Sequence, residues 1–140
     1  AGSDSHGTAY GLMEVSRLLG VSRWEWWADA TPETRTHFEL PAGYRDLQFP
    51  SVEYRGIFIN DEDWGLLRWA KRTFEKERGN IGPKTYAKVC ELLLRLKANY
   101  LCPAMHEAST AFNKIPENKL VADSFAIVMG SVHCEPSHSS

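Results

Sequence analysis

The chain has 140 residues, 43% hydrophobic and 24% charged, which is ordinary globular composition with room for one domain and a real core. A net charge of −2 without any basic block makes nucleic acid a poor partner. No apolar stretch approaches the ~20 residues of a membrane span, and Cys90, Cys102 and Cys134 form no metal or redox spacing and read as buried thiols.

From the amino end, residues 3–7 are turn-like, and residues 8–19 are predicted to form a helix. Ala9, Leu12, Met13, Val15, Leu18 and Leu19 fall mostly at helical spacing, and Gly20 is a fitting stop. Residues 23–29 then place three of the five tryptophans (Trp24, Trp26, Trp27) in four positions, a large apolar load for a loop. Packing between two layers of a larger protein explains that load, and a sugar-stacking platform is the functional alternative. Pro41 and Gly43 mark a linker or hairpin.

From Ser51 the pattern becomes strand, helix, strand, helix, strand. The first strand is expected over residues 52–60. A helix over 64–77 follows, with Trp64, Leu67, Trp69, Ala70 and Phe74 on a broad apolar face and the acids 61–63 at its N-terminus. Asp63 reads as the cap of that helix. Gly79-Asn80-Ile81-Gly82 ends it, and Pro83 opens a second helix reaching residue 98. Residues 100–104 are the second strand, 116–121 a short helix and 126–132 the third strand. Parallel βα units of this length define an α/β fold class.

Each expected strand runs into residues capable of acid–base chemistry. The first ends in Asn60, Asp61 and Glu62, the second in His106 and Glu107, the third in His133 and Glu135. Parallel βα barrels open their sites at such carboxyl ends. Asp61 is the first choice for a site carboxylate, as a helper of the base or a ligand of a sugar hydroxyl. His106, Glu107, His133 and Glu135 could ligate zinc, but their spacing is irregular and neither metal nor cofactor is expected. Arg55 precedes the first strand and should lie far from this edge.

Five segments carry a family resemblance: Gly2-Ser3-Asp4 through Gly11, Trp24 through Asp29, Arg55 through Trp64, Pro103 through Glu107, and His133 through Pro136. They resemble glycoside hydrolase family 115, the xylan α-1,2-glucuronidases, over nearly the whole chain. The resemblance implies that residues 1–49 are the end of an auxiliary α/β N-terminal domain plus linker. Residues 50–140 would then be the first βαβαβ part of an incomplete (β/α)₈ TIM barrel, which takes roughly 250 residues when closed. It further implies removal of glucuronic acid or its 4-O-methyl ether from xylan or glucuronoxylo-oligosaccharides, with inversion and without a metal. A general acid on a later strand, a homodimeric full-length form and export to the periplasm or medium also follow from it. Cys102 stands where the family leads one to expect a bulky aromatic.

Two other readings compete. A non-catalytic carbohydrate-binding remnant would use the tryptophans and the strand-end acids. A small flavodoxin-like domain would need a Gly-rich phosphate loop after the first strand, and residues 60–63 are acidic and Gly-free. With five barrel strands absent, the isolated chain is expected to be inactive, and molten or aggregation-prone; a sharp cooperative urea transition would contradict the latter.

Overall fold

Asp4 starts the first helix earlier than the apolar spacing alone suggests. In the computed structural model, which describes residues 2–61 and 63–131, its carboxylate accepts the Gly7 N–H at 2.7 Å. The helix α1 therefore spans Ser5–Leu18. It closes on Gly20 at φ 96°, with the Gly20 N–H bonded to Arg17 and the Val21 N–H to Ser16, the paired bonds of a Schellman motif. The tryptophan-rich block forms one helical turn, α2 (Glu25–Ala28). Trp27 packs on Trp69 with ring centroids 4.9 Å apart, and Trp26 meets Phe74 edge-on at 5.9 Å. The Lys88 ammonium sits 3.4 Å from the Trp26 ring centre. Packing against the core thus accounts for Trp27, whereas Trp24 and Trp26 remain exposed, Trp26 with its ring against Phe74 and Lys88. Residues 30–55 form neither helix nor strand.

The alternating part follows the expected order: β1 (Gly56–Phe58), α3 (Leu66–Thr73), α4 (Pro83–Arg95), β2 (Tyr100–Cys102), a 3₁₀ turn (Phe112–Lys114), α5 (Pro116–Ser124) and β3 (Val128–Met129). All three strands are shorter than their apolar runs. Before β1, the carbonyls of Val52 and Glu53 accept hydrogen bonds from the Arg55 guanidinium, and Glu53 also from the Asn99 amide. Side chains replace the ladder there. After β2, Pro103 has no N–H to donate. The helix ends also shift. Trp64 is 82% exposed and belongs to no apolar face. Beyond Thr73 the Phe74 and Glu75 N–H groups both bond Ala70, and the chain turns there instead of reaching residue 77.

The strands form one parallel sheet in the order β1-β2-β3. Gly56, Ile57 and Phe58 lie opposite Tyr100, Leu101 and Cys102, and Tyr100 and Leu101 lie opposite Val128 and Met129. Alternation puts Ile57, Leu101 and Met129 on one face. Leu101 and Met129 meet the core there, where Leu101, Leu93, Ile81 and Ala70 have no exposed surface, whereas Ile57 on the edge strand is 38% exposed. Gly56, Phe58, Tyr100, Cys102 and Val128 share the other face, on which Phe58 and Val128 are 42% and 41% exposed. Cys90 and Cys102 are buried free thiols, as the composition suggests, and burial pushes the Cys90 thiol up to about 12. No helix among the described residues is long and apolar enough to cross a membrane.

α1 is tied to the amino-terminal edge of the sheet. Tyr10 donates to the Ala98 carbonyl at 3.0 Å, and Arg55 bonds the Lys97 carbonyl at 2.9 Å. The His6 ring lies 2.6 Å from the Ala126 carbonyl oxygen. Glu14 pairs with Arg17 at 2.6 Å and Lys97 at 2.9 Å. The hydrogen bond from Arg17 outweighs the opposing effect of burial, and with Lys97 it draws the Glu14 carboxyl from 4.5 down to about 2. A depressed carboxylate contributes stability above its unfolded pKa and loses it as pH falls through the folded one. Glu14→Gln should therefore lower the melting temperature at pH 7. The gap to the parent should shrink between pH 4.5 and pH 2, read by thermal melts across that range.

α4 and α5 end in the same closure as α1 without glycine. Lys97 (φ 60°) and Ala126 (φ 53°) occupy the left-handed position. Ala98 bonds Leu93, and Ile127 bonds Ala122. Ala126 has no polar side chain to offset the strain, so Ala126→Gly should stabilise the protein by about 0.5–1 kcal/mol, seen as a higher denaturation midpoint.

Candidate functional site

The parallel register carries the segments after β1 and β2 to one edge of the sheet. Pairing continues past Phe58, with the Ile59 N–H bonded to the Cys102 carbonyl at 2.9 Å. Asn60 is exposed at this edge and Asp61 is buried. The Asp61 carboxylate accepts the Leu67 N–H at 2.6 Å and the Gly65 N–H at 3.4 Å, so it holds the first turn of α3. The capping role expected of Asp63 falls to Asp61. Asp63 itself sits at φ 64°, with Arg68 and Lys71 at 3.8 and 4.0 Å. Two anchoring bonds fix the orientation of the Asp61 carboxylate and leave lone pairs for a further donor.

After β2, Pro103 and Ala104 are buried, and the chain then emerges so that His106 and Glu107 are both exposed. A turn follows immediately: the Ser109 N–H bonds the His106 carbonyl at 2.8 Å, and the Ala108 N–H lies 3.4 Å from His106 Nδ1. After β3 the Gly130 N–H bonds the Leu101 carbonyl, and Ser131 is exposed at the same edge. Of the residues singled out from sequence, Asn60, Asp61, His106 and Glu107 share this edge. Glu62, His133 and Glu135, and with them Cys134, lie outside the described residues. Arg55 sits at the amino-terminal end of β1, with its guanidinium occupied by carbonyls and the Tyr10 hydroxyl.

Two residues here escaped the sequence reading. The Tyr100 hydroxyl lies 3.7 Å from Cys102 Sγ, and a Cβ on Gly130 would overlap that hydroxyl. Gly130 thus leaves room for the Tyr100 ring on the less covered face of the sheet. Its place within an apolar run was the available signal. Asn80, between α3 and α4, hydrogen-bonds the loop that carries His106 and Glu107. Its signal was hidden, because Asn beside glycine reads as a helix end. No group of three or more His, Cys, Asp or Glu among the described residues could hold a metal. A depression of about 350 Å³ at the α3–α4 junction is lined by Glu75, Glu77, Arg78, Pro83 and Lys84. Its buried carboxylate, Glu75, accepts the Lys84 and Thr85 N–H groups and so caps α4, and none of the strand-end residues lines it.

Helix-linked parallel strands, with an acid and a His-Glu pair following their carboxyl ends, define an α/β chain of the βα type. A family model described as Glycosyl hydrolase family 115 matches residues 48–140, and the chain belongs to that family. It is also similar to a solved structure described as a novel family GH115 4-O-methyl-alpha-glucuronidase, BtGH115A, with specificity for decorated arabinogalactans. Sequence identity is 58% and the TM-score 0.88, over 96% of this chain and 18% of that one. The chain therefore spans less than a fifth of that protein's length. No curated protein matches it.

Proposed function

We propose that this chain is part of the catalytic unit of an inverting α-glucuronidase that removes glucuronic acid, or its 4-O-methyl ether, from a decorated plant polysaccharide. The observation that carries the reading is family membership together with the acid and His-Glu pair on adjacent parallel strand ends. In this reading residues 50–140 are the opening of a (β/α)₈ barrel and residues 1–49 the end of the preceding domain. The sequential, all-parallel strand order and the start of the family match at residue 48 support that division.

Inversion requires an acid to protonate the leaving oxygen and a base to activate water, with their carboxyl groups ~6.5–9.5 Å apart. Asp61 belongs to the base side or binds a sugar hydroxyl, its orientation fixed by the N-terminus of α3. Asn60, Glu62, His106, Glu107, His133 and Glu135 bind the uronic acid and its neighbouring sugar. The general acid lies on a later strand, and the 140-residue chain alone is inactive. The whole protein acts outside the cytoplasm and as a homodimer, by extension from the family.

The polysaccharide backbone is open to two readings. Xylan follows from the family resemblance. Arabinogalactan is favoured by the 58% identity to a relative described as specific for its decorated forms. Incubating the full-length protein with glucuronoxylan and with arabinogalactan, while following the released uronic acid by NMR, tests both the activity and the backbone. The first-formed product should be the β-anomer. Release of the α-anomer, or no release from either polymer, would overturn the proposal.

A further inference from the structure

We infer that Asn80 is a positioning residue for the substrate-binding edge, acting through His106 and Glu107. The inference rests on the site reading above. Asn80 lies in the turn between α3 and α4, thirty positions before Thr110 in the chain. Its Oδ1 accepts two backbone N–H bonds, from Ile81 at 2.8 Å and from Thr110 at 3.0 Å. Its Nδ2 donates to the Ala108 carbonyl at 3.5 Å. One amide therefore bridges two loops that are remote in sequence, and it grips the residues directly after Glu107.

The grip is referenced to a rigid part of the molecule. Ile81, the next residue, has no exposed surface and plugs the core. Gly79 takes φ 67°, a left-handed value that makes the turn before it. Pro83 then opens α4. On the other side, Ser109 is buried and its N–H bonds the His106 carbonyl. His106 and Glu107 are themselves exposed. Their place thus depends on the loop behind them, and the loop depends on Asn80.

The test uses the full-length protein and steady-state kinetics on the polysaccharide it cleaves. Asn80→Ala should raise KM about tenfold, with kcat changed less than about threefold, because uniform substrate binding is what the loop supplies. Asn80→Asp keeps the Oδ1 acceptor for both N–H groups and should restore KM to within about threefold. Asn80→Ser can bond the Ile81 N–H next to it but is too short to span to Thr110. It should behave like Asn80→Ala, and it carries the test should the alanine variant not fold. In a His106→Ala/Glu107→Ala background, Asn80→Ala should add less than about a twofold further change. An unchanged KM in Asn80→Ser, or a full additional loss in the double-alanine background, would overturn the inference. Should His106→Ala/Glu107→Ala leave KM unchanged, the site reading itself fails. Should that pair raise KM while Asn80→Ser does not, only the positioning role fails.

Discussion

Asp61→Ala in the full-length protein should lower kcat by about 10²–10⁴-fold and cost about 1–3 kcal/mol of stability. The two effects have separate causes. Asp61 is 5% exposed, and its oxygens are the acceptors for the Leu67 and Gly65 N–H groups. Removing them leaves the buried Leu67 N–H without a partner, and the first turn of α3 loosens. The loss in kcat comes from the carboxylate's place on the strand-end edge. Asp61→Asn separates the two. The amide retains one oxygen for the Leu67 N–H, so much of the stability returns, but the charge is gone. Activity as low as in the alanine variant assigns chemistry or sugar binding to the carboxylate. Parental activity in Asp61→Asn would reduce Asp61 to an anchor of α3.

The second large effect concerns the two faces of the sheet. Leu101→Ala should cost about 2–5 kcal/mol, because Leu101 is fully buried on the central strand between β1 and β3. Phe58 makes the sharper comparison. It is 42% exposed here, and a phenylalanine this open would lose little on truncation. In a closed barrel the same face is filled by layers of side chains from alternate strands. Phe58→Ala should then cost about 3–5 kcal/mol in the full-length protein, comparable to Leu101→Ala. A cost below about 1 kcal/mol, measured by denaturant unfolding, would mean that the Phe58 face stays in solvent and that the barrel reading is wrong.

Much of the fold was legible because its signals are local. The apolar spacing of residues 84–94, the proline at its start and the β-rich runs around Ile57, Leu101 and Ile127 identify α4 and the three strands. Their alternation implies a parallel α/β arrangement. Helix ends were harder to read. α1 stops at a glycine that announces itself, but α4 and α5 stop at Lys97 and Ala126, which carry no such mark. Those residues take a left-handed conformation because β2 and β3 must leave at that point, and the closing bonds to Leu93 and Ala122 offset the strain. Strand lengths were overestimated for a related reason. The Glu53 carbonyl found the Asn99 amide and the Arg55 guanidinium found the Lys97 carbonyl, contacts across more than forty positions that no periodicity contains.

The site divides in the same way. By itself the sequence determined that Asn60, Asp61, His106 and Glu107 follow the strand ends and, through its motifs, the family to which the chain belongs. Both depend on residue identity and order along the chain. Only the tertiary structure decided what those residues are attached to. It gave Asp61, rather than Asp63, the N-terminus of α3, and it tied the loop carrying His106 and Glu107 to Asn80. A hydrogen bond between distant loops is set by how two helices and a strand pack. Packing depends on the shapes of many side chains at once, and no short window of sequence holds that information.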